Sequence, residues 1–101
     1  MNILENQFLL FEIDEENENF VEIEVENGPI YTPLDSSSIF IIVDPINKAI
    51  WIYNGEKVSI RNKFIATQEA PNIRDMYGVD FKIVAVDEGS EPSEFLEIIG
   101  L

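Results

Sequence analysis

Five consecutive large apolar residues, Ile39-Phe40-Ile41-Ile42-Val43, contain no polar position. The run is strand-length and rich in β-branched and aromatic side chains, and its lack of alternation makes it apolar on both faces. Successive strand residues point to opposite sides, so such a strand is central in its sheet and needs a covering layer on each side. Asp44-Pro45-Ile46-Asn47 turns the chain, and Lys48-Ala49-Ile50-Trp51-Ile52-Tyr53 follows as the predicted hairpin partner, closed by Asn54-Gly55. Trp51 reads as core or half-buried strand filling.

The remaining segments supply the neighbours and covers. Phe8 to Ile13 reads as a strand, Asp14 to Asn19 as a polar turn, and Phe20 to Glu26 as an alternating strand. In that strand Val21, Ile23 and Val25 share the dry face, and Glu22, Glu24 and Glu26 form a solvated face that guards an edge. Asn27-Gly28-Pro29 ends it, and Pro33 to Ser38 is loop. From Glu56 the pattern becomes helical: at about 100° per residue, Val58, Asn62, Ile65, Ala66, Glu69, Ala70 and Ile73 gather on one side. Ile60, Phe64 and Gln68 fall on the other. Pro71 removes a helical hydrogen bond, so a kink or stop is expected near Ala70, with Asn72 to Met76 as a loose turn. Phe81 to Val86 is another strand, Gly89 breaks it, and Pro92 opens a short helix carrying Phe95, Leu96, Ile98 and Ile99. The order β-β-β-β-α-β-α predicts an α+β fold, a sheet held between two helices, with residues 1–101 as one domain.

Composition removes several functions. The chain of 101 residues has no cysteine and no histidine, which excludes disulfides, thiolate or imidazole metal sites, and cysteine or histidine catalysis. Its net charge of −14 opposes nucleic acid and anionic lipid headgroups, both of which need a basic footprint. No apolar run approaches the roughly 20 residues of a membrane span, and no leader pattern opens the chain, so a cytoplasmic protein is expected. Carboxylate pairs arise by chance among 20 acidic residues, and Ser36-Ser37-Ser38 has no base to activate it. An enzyme is not expected.

Several stretches together resemble the gelsolin/villin/severin repeat. Leu10-Phe11-Glu12-Ile13 is similar to its first strand, and Leu34-Asp35-Ser36-Ser37-Ser38-Ile39-Phe40-Ile41-Ile42 to its element of leucine, turn, Gly-Asp and apolar strand. Ile50-Trp51-Ile52-Tyr53-Asn54-Gly55 resembles its aromatic strand ending in Trp-x-Gly, with Tyr53 where the tryptophan usually sits. Ala66-Thr67-Gln68 and Ile73-Arg74-Asp75 resemble the long helix, and Glu88-Gly89-Ser90-Glu91-Pro92-Ser93-Glu94-Phe95 the closing Glu-Gly-x-Glu-Pro-x-x-Phe. The resemblance implies a mixed sheet of about five strands between one long and one short helix. It also implies a module that caps or sequesters actin through the outward side of the long helix, here Ile60, Phe64 and Gln68.

The departures bear on calcium. The family's shared site takes oxygens from its Gly-Asp and a glutamate of the long helix; those places here are Ser37, Ser38 and Asn62, without a carboxylate. Calcium is a hard cation that wants charged oxygens, so this site is expected to be degraded and no cofactor is expected. For the site shared with actin, the family's aspartate falls at Arg74, leaving Asp75 as a weak metal candidate. Two readings stay open: an actin-binding module, or an interaction domain that kept the fold, lost actin and pairs with a second copy. A third alternative concerns Ile60 and Phe64 alone, which a helix rotated or unwound at Pro71 would bury in the core.

Overall fold

The structure, a computed structural model, describes residues 8–24 and 29–101. Its elements are β1 (Leu9–Asp14), β2 (Asn19–Ile23), β3 (Ile39–Asp44), β4 (Ala49–Asn54), α1 (Ile60–Tyr77), β5 (Lys82–Asp87) and α2 (Ser93–Ile99). The sheet order is β2-β1-β3-β4-β5, antiparallel except for the parallel β4–β5 pair that α1 connects. The apolar run from Ile39 thus occupies the middle strand, and every residue of β3 and β4 is buried.

The two faces of that hairpin feed two cores. Phe40, Ile42, Ala49, Trp51 and Tyr53 pack with Phe95 and Ile99 of α2. Ile39, Ile41, Val43, Ile50 and Ile52 pack with Ala66, Ala70 and Ile73 of α1. Phe95 is fully buried, its ring stacked on Tyr53 and tilted against Trp51, both at 5.5 Å between centroids. Alanines at positions 66 and 70 let the α1 backbone lie close to the sheet, as the sequence pattern implies.

Both antiparallel hairpins that flank the centre turn in the same way. Asp14 Oδ1 accepts from the Asn17 N–H and its Oδ2 from the Asn17 amide; Asp44 does the same with Asn47 and also accepts the Ile46 N–H. Each turn ends on a residue with positive φ, Glu18 at 56° and Lys48 at 51°. Asp44 goes further. It is fully buried, and its Oδ2 also accepts the Trp51 indole N–H at 3.0 Å. One carboxylate therefore closes the central hairpin and satisfies the polar edge of its largest side chain.

Two expectations are corrected. The chain does not kink or stop at Pro71: α1 is one helix of 18 residues, and Asn72 to Met76 is helical. Its ends are fixed independently. The Asn62 N–H donates to Ser59 Oγ at 3.1 Å, and the Gly78 N–H to the Arg74 carbonyl at 2.8 Å. Ala70 and Ile73 are buried on either side of the proline, so packing carries the helix through one missing rung. The helix begins at Ile60 rather than near Glu56, because Glu56 and Lys57 form a turn tied back by Lys57 N–H to the Ser36 carbonyl at 2.8 Å. The second correction is Val21, which is half exposed rather than dry. β2 is an edge strand, and α2 spans only seven residues centred on β3 and β4, so β2 lacks full cover on that side. Val25 and Glu26 lie outside the described residues.

Candidate functional site

At the end of the sheet where β3 begins and β4 and β5 finish, the loops before β3, after β4 and after β5 meet the start of α1. Gly55 makes their approach possible. Its N–H donates to the Ser38 carbonyl at 3.0 Å, and a Cβ there would stand 2.4 Å from the Ser36 carbonyl oxygen. Glu88 ties the same three loops together: it accepts the Glu56 N–H at 2.8 Å and the Ser36 hydroxyl at 2.8 Å. Those bonds, first the Glu56 N–H and then the Ser36 hydroxyl, hold its carboxyl below the usual glutamate range, with help from Lys57 and opposition from Asp35. Beside it, burial and the negative fields of Glu88 and Glu91 push the Tyr53 phenol up to about 12. The closing Glu-Gly-x-Glu-Pro segment is thus a clamp that sets where α1 starts.

From that clamp α1 runs with its inner side on the sheet and its outer side in solvent. Ile60 is 86% exposed and Phe64 62% exposed, and Gln68 is exposed one further turn along. Pro71 and Asp75 continue this row at helical spacing. The alternative that buries Ile60 and Phe64 in the core is overturned, because α1 is neither rotated nor unwound. Arg61 leans to one flank, its guanidinium on Glu18 at 2.8 Å and Glu15 at 3.4 Å in the β1–β2 turn. Such half-exposed pairs contribute little stability, but they fix the side chain's direction.

The places named for calcium are engaged within the protein. Ser37 is turned to Asp35, whose Oδ1 accepts both its N–H and its hydroxyl at 2.8 and 2.7 Å. The Ser38 carbonyl is engaged by Gly55, and Asn62 is buried with an Oδ1 that has no hydrogen-bond partner among the described residues. Asp75 Oδ1 accepts from Arg74 Nε and Nη2 at 3.2 and 3.1 Å. Among the described residues no group of three or more histidine, cysteine or acidic side chains is gathered for a metal. Asn62 offers a neutral amide where calcium prefers a carboxylate, and the Asp75 carboxylate is taken up by Arg74.

A mixed five-stranded sheet lies between a long and a short helix, and the long helix presents an apolar row to solvent. The chain has a gelsolin-like fold. It is similar to the Thorarchaeota ProGel in a crystal structure of its complex with rabbit actin: TM-score 0.80, 26% identity, covering 93% of this chain and 100% of that one. It shares the fold of the Thorarchaeota 2DGel3, also crystallised with rabbit actin: TM-score 0.71, 21% identity, covering 98% of this chain but 48% of that one. No protein-family model and no curated protein matches the sequence.

Sequence reasoning missed two of the residues that build this region. In the sequence Asp44 reads only as part of a turn, although its Asp-x-x-Asn spacing repeats that of Asp14 to Asn17. Glu88 reads only as part of a motif, although a carboxylate just beyond a strand beside a tight glycine loop is suited to collecting loop N–H groups.

Proposed function

We propose that this chain is an actin-binding module that caps or sequesters actin subunits through the outward face of α1, with Ile60 and Phe64 inserting into an apolar cleft and Gln68 hydrogen-bonding beside them. The observation that carries the reading is the exposed Ile60–Phe64 pair on the long helix of a gelsolin-like domain. The actin complexes of ProGel and 2DGel3 supply the partner. Full burial of a large apolar side chain is worth about 1.5–3 kcal/mol, so the pair offers a substantial part of a micromolar affinity. Binding is cytoplasmic, with weak or no calcium dependence, supported by the neutral amide at Asn62 and the Arg74-bound Asp75. One such face per domain suits capping or sequestration rather than bridging of filaments.

Co-sedimentation and pyrene-actin assembly test the reading, with and without calcium. Phe64→Asp removes at least about 2 kcal/mol, about thirtyfold in Kd, while leaving the melting temperature nearly unchanged because the side chain is exposed. An unchanged affinity in this variant refutes the docking face. A second reading, self-association, is supported by Ile83 and Ala85, which sit exposed on edge strand β5 on the side away from its α2-facing core residues. Light scattering separates the two: a stable dimer lost on Ile83→Asp, together with no effect on actin, favours self-association.

A further inference from the structure

The charge of the molecule is distributed very unevenly along its binding helix. Within a net charge of −14, the stretch from Glu56 to Gln68 holds Lys57, Arg61 and Lys63 against a single acid, Glu56. Lys48 and Arg74 lie elsewhere and are held by Asp80 and Asp75. Arg61 is held by Glu15 and Glu18. Lys57 and Lys63 are exposed and have no carboxylate within ion-pair distance among the described residues. Lys57 lies in the turn that leads into α1, and Lys63 in its first turn, next to Phe64. The Lys57 backbone is anchored to the Ser36 carbonyl, which fixes the root of that side chain.

The first turn of α1 contains no acidic residue, although the positive end of a helix dipole favours acids there. Arg61 and Lys63 stand in or beside that turn instead. The surroundings sharpen the contrast. Glu15 and Glu18 line the flank beside Arg61, Glu88 and Asp35 lie near Lys57, and Glu69 and Asp75 follow toward the far end, so the cationic region is centred on the Lys63 flank.

We propose that Lys57 and Lys63 make the N-terminal half of α1 an electrostatically guided docking stripe whose partner is an acidic protein surface: an apolar cleft rimmed by carboxylates. This rests on the actin-binding reading and deepens it, since a chain of net charge −14 can approach carboxylates without net repulsion only through a local cationic stripe. The Debye length at physiological salt is about 8 Å, whereas the molecule extends 40 × 28 × 23 Å. At close approach the partner therefore senses the charges around the stripe and little of the acids on the opposite side. Orientations that present those acids are repelled, and the one that presents Lys57 and Lys63 is drawn in.

The test is the association rate with actin, measured by stopped flow across a range of ionic strength. Lys63→Glu and Lys82→Glu change net charge equally, but Lys82 opens β5 beside Lys48, one sheet length from the start of α1. At low salt Lys63→Glu slows association by about tenfold, Lys57→Glu/Lys63→Glu by more, and Lys82→Glu by less than about twofold. The difference disappears at high salt. Equal effects of Lys63→Glu and Lys82→Glu overturn the inference, since net charge alone would then govern the encounter. If the lysine double variant associates like the parent while Phe64→Asp abolishes binding, the inference falls and the docking face stands. If neither alters binding, both fall. Unchanged circular dichroism of the exposed-site variants excludes misfolding as the cause.

Discussion

Gly55→Ala is the substitution for which the structure gives the clearest quantitative expectation. The new Cβ would lie 2.4 Å from the Ser36 carbonyl oxygen, 2.6 Å from the Ser36 carbonyl carbon and 2.7 Å from the Ser38 carbonyl oxygen. All three are backbone atoms, so no side chain can rotate away. The loop before β3 and the loop after β4 must separate by several tenths of an ångström or more. That separation stretches the Gly55-to-Ser38 bond at 3.0 Å and the Lys57-to-Ser36 bond at 2.8 Å. Overpacking of this kind costs about 1–3 kcal/mol, and each weakened backbone bond up to about 1 kcal/mol, for a total of roughly 3 kcal/mol. A domain of about 100 residues loses roughly 4–8 °C in Tm per kcal/mol, so a fall of about 10–25 °C is expected in thermal denaturation followed by circular dichroism. Gly89→Ala is the matched control. Its Cβ would meet nothing within 4 Å, and only its φ of +93° opposes the change, at about 1–2 kcal/mol. A Gly55→Ala protein that melts within about 3 °C of the parent, or no lower than Gly89→Ala, refutes the close-approach argument.

Asp44→Ala strands the buried Trp51 indole N–H and opens the β3–β4 turn; a loss of about 2–4 kcal/mol in urea unfolding is expected, with a shifted tryptophan emission, and a loss below about 1 kcal/mol contradicts it. Pro71→Ala restores the missing rung of α1 and raises stability by about 1–3 kcal/mol; an unchanged or lower Tm shows that the helix has already relaxed around the ring. Because the Glu88 carboxyl titrates below its ordinary value of 4.5, its contribution is present above that pH and is lost as pH falls through the lower folded value. Glu88→Gln therefore destabilises at neutral pH and converges with the parent on acidification; parallel stability curves between about pH 6 and pH 3 argue against the clamp.

The frame of the fold was readable because its signals were local. Ile39 to Val43 lacks a polar face, Asp44 to Asn47 can only turn, and the alanines at 66 and 70 repeat at helical spacing, so the element order and both layers followed. The two sides of α1 were separable for the same reason, but which of them faces solvent is decided by the structure, which buries Asn62, Ile65, Ala66, Ala70 and Ile73. What failed was a local rule overridden by tertiary packing. Pro71 forbids one hydrogen bond, but Ala70 and Ile73 are pinned to the sheet on either side of it, and their burial outweighs the missing bond. The reach of polar side chains was hidden as well. Nothing along the chain indicates that Asp44 meets the indole of Trp51, or that Glu88 meets Ser36 across 52 positions of sequence.

The complete burial of β3 and β4 divides the molecule into parts that open at different free energies. The amides of that hairpin are bonded between buried strands, so their hydrogens exchange only when the whole domain unfolds. The solvent side of α1 is different: its ladder is interrupted at Pro71, and its row from Ile60 onward has no packing above it. Exchange there proceeds through small openings that leave the sheet intact. The exposed side chains offered to a partner can therefore adjust while the hairpin beneath them holds its register.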